Sequence, residues 1–268
     1  MSAFRRSAVV AVLAGLAGLA ACGTTPTSQP GAATSPSPAT STPAPAATTP
    51  TPDTTPSAPS GSPKLSQQPM LRLDSRGSAV MALQHRLTAL HYFDVATADG
   101  VFEQDTYHAV IAFQKVQGLT RDGIVGPATW ARLARPHVPA PRYRLATASL
   151  EVNLARQVIY YVRGGTIQRI IDASTGSGAW YYSRGRLSRA ITPTGRFHIY
   201  WRYGAGWQPG PLGAMYRPNY FYGGYAVHGM TSVPAYPASH GCVRMTVPAM
   251  DRMWSSLRVG MPVAIYRS

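Results

Sequence analysis

The run Ala238-Ser239-His240-Gly241-Cys242-Val243-Arg244, preceded by Val227-His228-Gly229, decides how this chain of 268 residues is read. The chain holds 2 cysteines, Cys22 and Cys242. Cys22 closes an apolar N-terminal run and has a separate explanation below, which leaves Cys242 as a lone thiol. A single thiol in an exported chain forms no internal disulfide and is a liability unless it is used. A Cys with a nearby His is how a thiol nucleophile is made, because the thiolate attacks and an imidazolium partner lowers the thiol pKa from about 8.5 toward neutrality. Gly229 and Gly241 let backbone and substrate approach closely. A buried structural Cys beside two unrelated His is the competing reading. One Cys and two His show no fourth ligand at suitable spacing, so neither a metal site nor a cofactor is expected.

Thirteen residues separate His228 from Cys242. That spacing, with Ser239-His240-Gly241-Cys242-Val243-Arg244, Ser174-Thr175-Gly176 and Thr192-Pro193-Thr194-Gly195-Arg196-Phe197, closely resembles the signature of the L,D-transpeptidases of the YkuD fold. The resemblance covers essentially all of 145–267. It implies a mainly-β, sandwich-like catalytic domain at 143–268. It also implies roles: Cys242 as nucleophile on a peptidoglycan stem tetrapeptide, His228 as proton shuttle, and the Gly229 carbonyl orienting that imidazole. Backbone N–H groups near Gly241 and Cys242 would hold an oxyanion. Ser239, His240, Gly241, Arg244 and Tyr220 are the candidate substrate-binding residues. Arg244 either grips a substrate carboxylate with its planar fork or forms a structural ion pair. Tyr216, Tyr220 and Tyr222 either cap the cleft or simply pack. Met230 departs from the family, where a small hydroxyl residue is frequent. Transfer to a second stem and hydrolysis by water (an L,D-carboxypeptidase) share one nucleophile, and a non-catalytic wall-binding lipoprotein is a third reading.

Local patterns agree with a β-rich domain. Ser149 to Leu154 alternates, and Val158 to Val162 with Thr166 to Ala173 flank Gly164-Gly165, a hairpin signal. Phe197 to Trp201, Tyr225 to His228 and Val263 to Tyr266 are further strands. One helix is expected over Pro248 to Leu257, with Met250, Met253, Trp254 and Leu257 on one face.

Residues 70–135 change period. Val80, Leu83, Leu87 and Leu90 recur at helical spacing, Val110 to Val116 gives a second helix that Gly118 ends, and Pro127 opens a third. Asp99-Gly100-Val101-Phe102 with Thr106 echoes 23 residues later as Asp122-Gly123-Ile124-Val125 with Thr129. With Leu83-Gln84, Ala112-Phe113-Gln114 and Gly118-Leu119, these residues resemble the peptidoglycan-binding-like three-helix module, which implies cell-wall polymer binding. Nearly all of them are core or turn positions, so they speak more to fold than to ligand. His85, His91 and His108 show no ligand spacing. The fold class is therefore a small all-α module followed, after a linker at 136–142, by a mainly-β catalytic domain.

The N-terminal quarter of the chain reads as delivery. Arg5 and Arg6 precede a short apolar run, and Leu19-Ala20-Ala21-Cys22-Gly23 resembles a bacterial lipoprotein signal. Residues 1–22 are thus expected to be a signal ending in a lipidated Cys22, with the protein exported and anchored outside the membrane. Residues 23–69 hold 12 of the 24 prolines and almost no charge, the composition of a disordered tether.

A net charge of +15 suggests nucleic acid at first sight. Residues 70–135 carry 7 basic and 6 acidic side chains, whereas 143–268 carry 14 Arg against Glu151, Asp172 and Asp251, a net of +11. The excess lies in the catalytic segment of an exported chain. Its expected partners are an anionic wall polymer and, through the lipid, a membrane, with no nucleic acid; oligomeric state is left open.

Overall fold

The computed structural model describes residues 68–92, 98–143, 145 and 147–267. The expected signal, Cys22 and the tether lie outside them.

Three helices form first: α1 (Ser78–Ala89), α2 (Gln104–Gln117) and α3 (Pro127–Ala134). Gly118 ends α2 in the left-handed region, and Pro127 sits in the first turn of α3. The sequence echo is a duplicated clasp. In α1, Gln84 donates from Nε2 to Asp99 Oδ1 (2.8 Å), Val101 O and Thr106 Oγ1, and accepts from Gly100 N–H (2.9 Å). In α2, Gln114 makes the matching bonds to Asp122 Oδ1 (2.8 Å) and Ile124 O, and accepts from Gly123 N–H (2.9 Å). Each buried Gln thus closes one Asp-Gly turn, which satisfies polar groups that burial would otherwise penalise.

The second region is a sandwich. One sheet has the order β3 (Thr166–Asp172), β2 (Val158–Arg163), β1 (Ser149–Asn153), β12 (Pro262–Tyr266), β6 (Gly195–His198). The other runs β11 (Val243–Thr246), β10 (Tyr225–Met230), β9 (Met215–Tyr222), β7 (Trp201–Arg202), with β8 (Trp207–Gln208) also on β9. A separate hairpin pairs β4 (Trp180–Ser183) with β5 (Arg186–Arg189). Helix α4 (Val247–Met253) follows β11, capped by Thr246 Oγ1 accepting from Ala249 N–H. It begins one residue before the expected Pro248 and ends before Leu257.

The middle strands of the first sheet, β2, β1 and β12, are buried on both faces. Leu150, Val152, Ile159, Tyr161, Val263 and Ile265 meet Phe221, Val227, Val243 and Met245 inside the sandwich, with Met250 and Met253 of α4. Val158, Tyr160, Val162, Ile167 and Ile170 point the other way and join Phe113, Val116, Leu87 and Trp130 of the helices in one continuous core. Alternation in β1 therefore does not mark one wet face: all five residues are buried. Its buried Glu151 accepts from the Arg142 and Tyr143 N–H groups at 2.8 and 2.7 Å, and His137 is paired with Gln117, so the 136–142 connection is tied at both ends.

The expected strand Phe197 to Trp201 divides. β6 pairs β12 in one sheet, β7 pairs β9 in the other, and the chain changes sheets at Ile199 and Tyr200, whose N–H groups bond Met261 O and Tyr220 O.

Candidate active site

Parallel pairing of β10 with β11 brings the motif together. Val227 sits opposite Val243 and His228 opposite Arg244, so Cys242, one residue before β11, comes beside the same strand. β9 reinforces this. Between the pairs Val227–Asn219 and Gly229–Tyr216, β10 supplies one residue, His228, and β9 supplies two, Arg217 and Pro218. This is a bulge opposite His228, with Arg217 in the left-handed region at φ 45°. Proline in the run Met215–Tyr222 is the reason the strand is not legible in the sequence.

His228 is buried, and its Nδ1 lies 2.9 Å from Gly229 O. A carbonyl only accepts, so Nδ1 carries the proton and Nε2 keeps its lone pair. Burial pushes the imidazole down to about 4, and the Arg244 charge lowers it further, against the opposing effect of the Gly229 bond. Burial also pushes the Cys242 thiol up, with Ala226 and Arg244 opposing. Both shifts have the same cause: thiolate and imidazolium alike lose hydration in this cavity wall. Gly229 has no room for a side chain, since a Cβ would lie 2.9 Å from the Tyr216 ring.

The loop carrying Cys242 is sewn to two distant segments. Ser174 and Arg244 exchange backbone hydrogen bonds (3.1 and 2.9 Å), and the Ala238 and Ser239 N–H groups both donate to Thr175 O. Thr192 Oγ1 donates to Gly241 O and accepts from Gly176 N–H, both at 2.8 Å. Ser239 Oγ donates to Cys242 O at 2.6 Å and accepts from Gly241 N–H at 3.0 Å. The motifs around Ser174 and Thr192 thus hold the Cys242 loop in place. Gly241 N–H is already engaged, so of the two expected oxyanion donors only Cys242 N–H lacks an acceptor among the described residues. Gly241 itself has φ 131°, and a Cβ there would fall 2.5 Å from the Tyr225 ring.

A cavity of about 410 Å³ opens above this wall. Its lining brings together Cys242, His228, Ser239, His240, Arg244, Tyr220 and Met230. Arg244 has no ion-pair partner among the described residues, and burial pulls its guanidinium below the usual value. Tyr220 donates to Gln208 Oε1 and stacks on Trp201. His240 packs edge-on against Tyr181, with ring centroids 4.9 Å apart. Tyr216 and Tyr222 are not in the lining: Tyr216 bonds the Asp251 carboxylate and Tyr222 stacks on Tyr225. Sequence reasoning missed Tyr181 and Arg184 of the β4–β5 hairpin, together with Met215, Tyr225 and the segment 209–214. The hairpin had a readable signal in Arg184-Gly185 between two aromatic or aliphatic runs. Among the described residues, no acidic side chain lines the cavity.

The comparisons with known proteins divide along the same architecture. A peptidoglycan-binding-domain family matches residues 76–133, and the YkuD family, an L,D-transpeptidase catalytic domain, matches residues 147–265. The chain is 45% identical to the crystal structure of an L,D-transpeptidase (residues 123–326) from Xylanimonas cellulosilytica, with a TM-score of 0.70, covering 73% of this chain and 97% of that one. An uncharacterised protein of Kitasatospora aureofaciens is 46% identical over 68 residues, 25% of this chain and 58% of that protein. The N-acetylmuramoyl-L-alanine amidase CwlL of Bacillus licheniformis is 46% identical over 66 residues, 24% of this chain and 18% of that enzyme. The match thus spans just over half of the first curated relative and about a fifth of the second. With a solved relative matched over nearly its whole length, this chain belongs to the L,D-transpeptidase family of enzymes.

Proposed function

We propose that the protein cross-links peptidoglycan stem peptides through a thioester on Cys242. The observation that carries this reading is the convergence of Cys242, His228 and Arg244 on one cavity, where among the described residues Arg244 has no ion-pair partner and no acidic side chain lines the wall. His228 Nε2 takes the thiol proton as sulfur attacks the carbonyl between meso-diaminopimelate and the terminal D-Ala of a tetrapeptide. The C–N bond breaks, the proton passes to the departing D-Ala amine, and an acyl-Cys242 thioester remains. The side-chain amine of a second stem attacks that thioester, His228 relays its proton, and Cys242 is released as the thiol. Cys242 N–H steadies the oxyanion in both halves, a contribution of about 3 kcal/mol per donor in other acyl transfers. Arg244 grips a carboxylate of the donor stem. Ser239 and Gly241 shape the Cys242 loop, and His240 supports its outer side through Tyr181. Incubation with tetrapeptide stems is expected to yield D-Ala and a cross-linked dimer by mass spectrometry. Tripeptide alone reassigns the chain to L,D-carboxypeptidase, and undiminished product in Cys242→Ala overturns the nucleophile.

The reading extends to location and organisation. Residues 1–22 act as a lipoprotein signal, Cys22 carries lipid, 23–69 spans from membrane to wall, 70–135 contacts wall polymer, and 143–268 does the chemistry. Pro-rich chain extends about 3.1 Å per residue, so the tether reaches up to roughly 140 Å. Fatty-acid labelling in the native host is expected for the wild-type chain and lost in Cys22→Ala; label retained in that variant rejects the anchor.

A further inference from the structure

The β4–β5 hairpin presents two different faces. Its register pairs Trp180 with Arg189 and Tyr182 with Leu187 on one face, and Tyr181 with Ser188 on the other. The two-residue turn Arg184-Gly185 has both φ angles positive, 50° and 73°, the geometry that suits a tight hairpin. The inner face belongs to the cavity, through Tyr181 and Arg184. The outer face exposes Trp180, Tyr182 and Leu187 at 66%, 71% and 63%. Three large apolar side chains on one side of a two-stranded ribbon add nothing to either core, and such patches mark interaction sites. On this outer face Arg189 lies over the Trp180 ring with 6.0 Å to the centroid, and the hairpin holds no acidic residue.

We propose that the outer face of this hairpin is a glycan-docking platform, on which Trp180 and Tyr182 stack against sugar rings of the polymer whose stem peptide occupies the cavity. This rests on the cross-linking reading above. Continuity carries it: one ribbon lines the cavity with one face and offers aromatic rings with the other, and a stem bound at Cys242 remains covalently joined to its sugar chain. The polymer must therefore run past the cavity rim. Same-face neighbours on a strand stand roughly 7 Å apart, so Trp180 and Tyr182 form a two-ring track rather than a single contact. The rings offer apolar faces to sugar C–H groups, and Arg189 on the same face suits a carboxylate carried by a neighbouring stem.

The test compares two donors with the full chain: a free tetrapeptide and the same tetrapeptide on its disaccharide. The wild type is expected to show a kcat/KM several-fold higher for the glycosylated donor. In the Trp180→Ala/Tyr182→Ala variant that preference is expected to disappear, mainly through KM, while turnover of the free tetrapeptide is unchanged. Equal activity of the wild type on both donors overturns the platform. So does a variant that loses both activities in proportion, which would make the hairpin a support for the cavity. A concentration-dependent dimer in light scattering that the variant abolishes would make the face a self-association surface and also overturns it. Absence of turnover on either donor would instead strike the cross-linking reading, which separates the two failures.

Discussion

His228 is the residue on which burial acts most directly. Its Nδ1–H is committed to Gly229 O and its charged form is disfavoured by the sandwich interior, so the folded imidazole titrates near 4 rather than at the ordinary 6.5. The sign of the linkage is fixed by this depression. Above pH 6.5 the group is neutral in both folded and unfolded chains and costs nothing. Between 6.5 and 4 the unfolded chain takes a proton that the folded chain refuses, so stability falls with pH, by about 3 kcal/mol in all. Denaturant unfolding from pH 7 to 4 is expected to show this loss, reduced in His228→Gln. An equal slope in that variant would place the acid sensitivity elsewhere. In the proposed mechanism the same substitution removes the proton carrier, and it is expected to lower kcat by at least about 100-fold.

At the scale of elements, the parts of the design that the sequence discloses are those encoded locally. Gly164-Gly165 announces its hairpin because both residues take positive φ, 59° and 72°. Gly118 and Pro127 punctuate the helices, and the repeated Asp-Gly turns announce the Gln84 and Gln114 clasps. Cys242 and His228 stand out because the segments that carry them are close in sequence, Cys242 just before β11 and His228 in β10, and those strands pair in parallel. What stayed hidden depends on partners far along the chain. β9 contains Pro218 yet lies inside a sheet, tolerated because a bulge absorbs it. The strand expected over Phe197 to Trp201 contains nothing local to say that it leaves one sheet for the other at Ile199. Thr192 and Ser174 look like motif letters until the fold shows them holding the Gly241 and Arg244 backbone. The alternation in β1 is real, but a second layer covers the face that alternation assigns to water.

The whole molecule is built around that second layer. Lys115 of α2 is fully buried and donates to Asp172 Oδ1 at 2.5 Å and to the Gln157 and Ala173 carbonyls, while His108 meets Asp172 Oδ2 at 2.7 Å. Burial pulls the Lys115 amine below its usual value and the Asp172 carboxylate opposes that shift. Arg252 forks onto Asp105 at 3.0 and 2.9 Å, a further tie between α4 and the helical module. Beneath these polar links lie Val158, Tyr160, Val162, Ile167 and Ile170, packed on α2 and its neighbours. Even at about 1.5 kcal/mol each, uncovering five such side chains costs roughly 8 kcal/mol, comparable with the whole stability of an ordinary domain. Residues 68–267 are therefore expected to unfold in one calorimetric transition, and the segment 143–268 alone to be insoluble or molten. Lys115→Ala leaves Asp172 in the shared core with His108 as its remaining ion-pair partner and is expected to lower that single transition by roughly 10 °C, following the 3–5 kcal/mol typical of a broken buried pair. Two separated transitions, or a soluble and cooperatively folded 143–268 segment, would mean that the helical module merely rests on the sheet. A single transition means that the helical module and the catalytic domain unfold as one cooperative unit, held together by the core that α2 shares with β2 and β3.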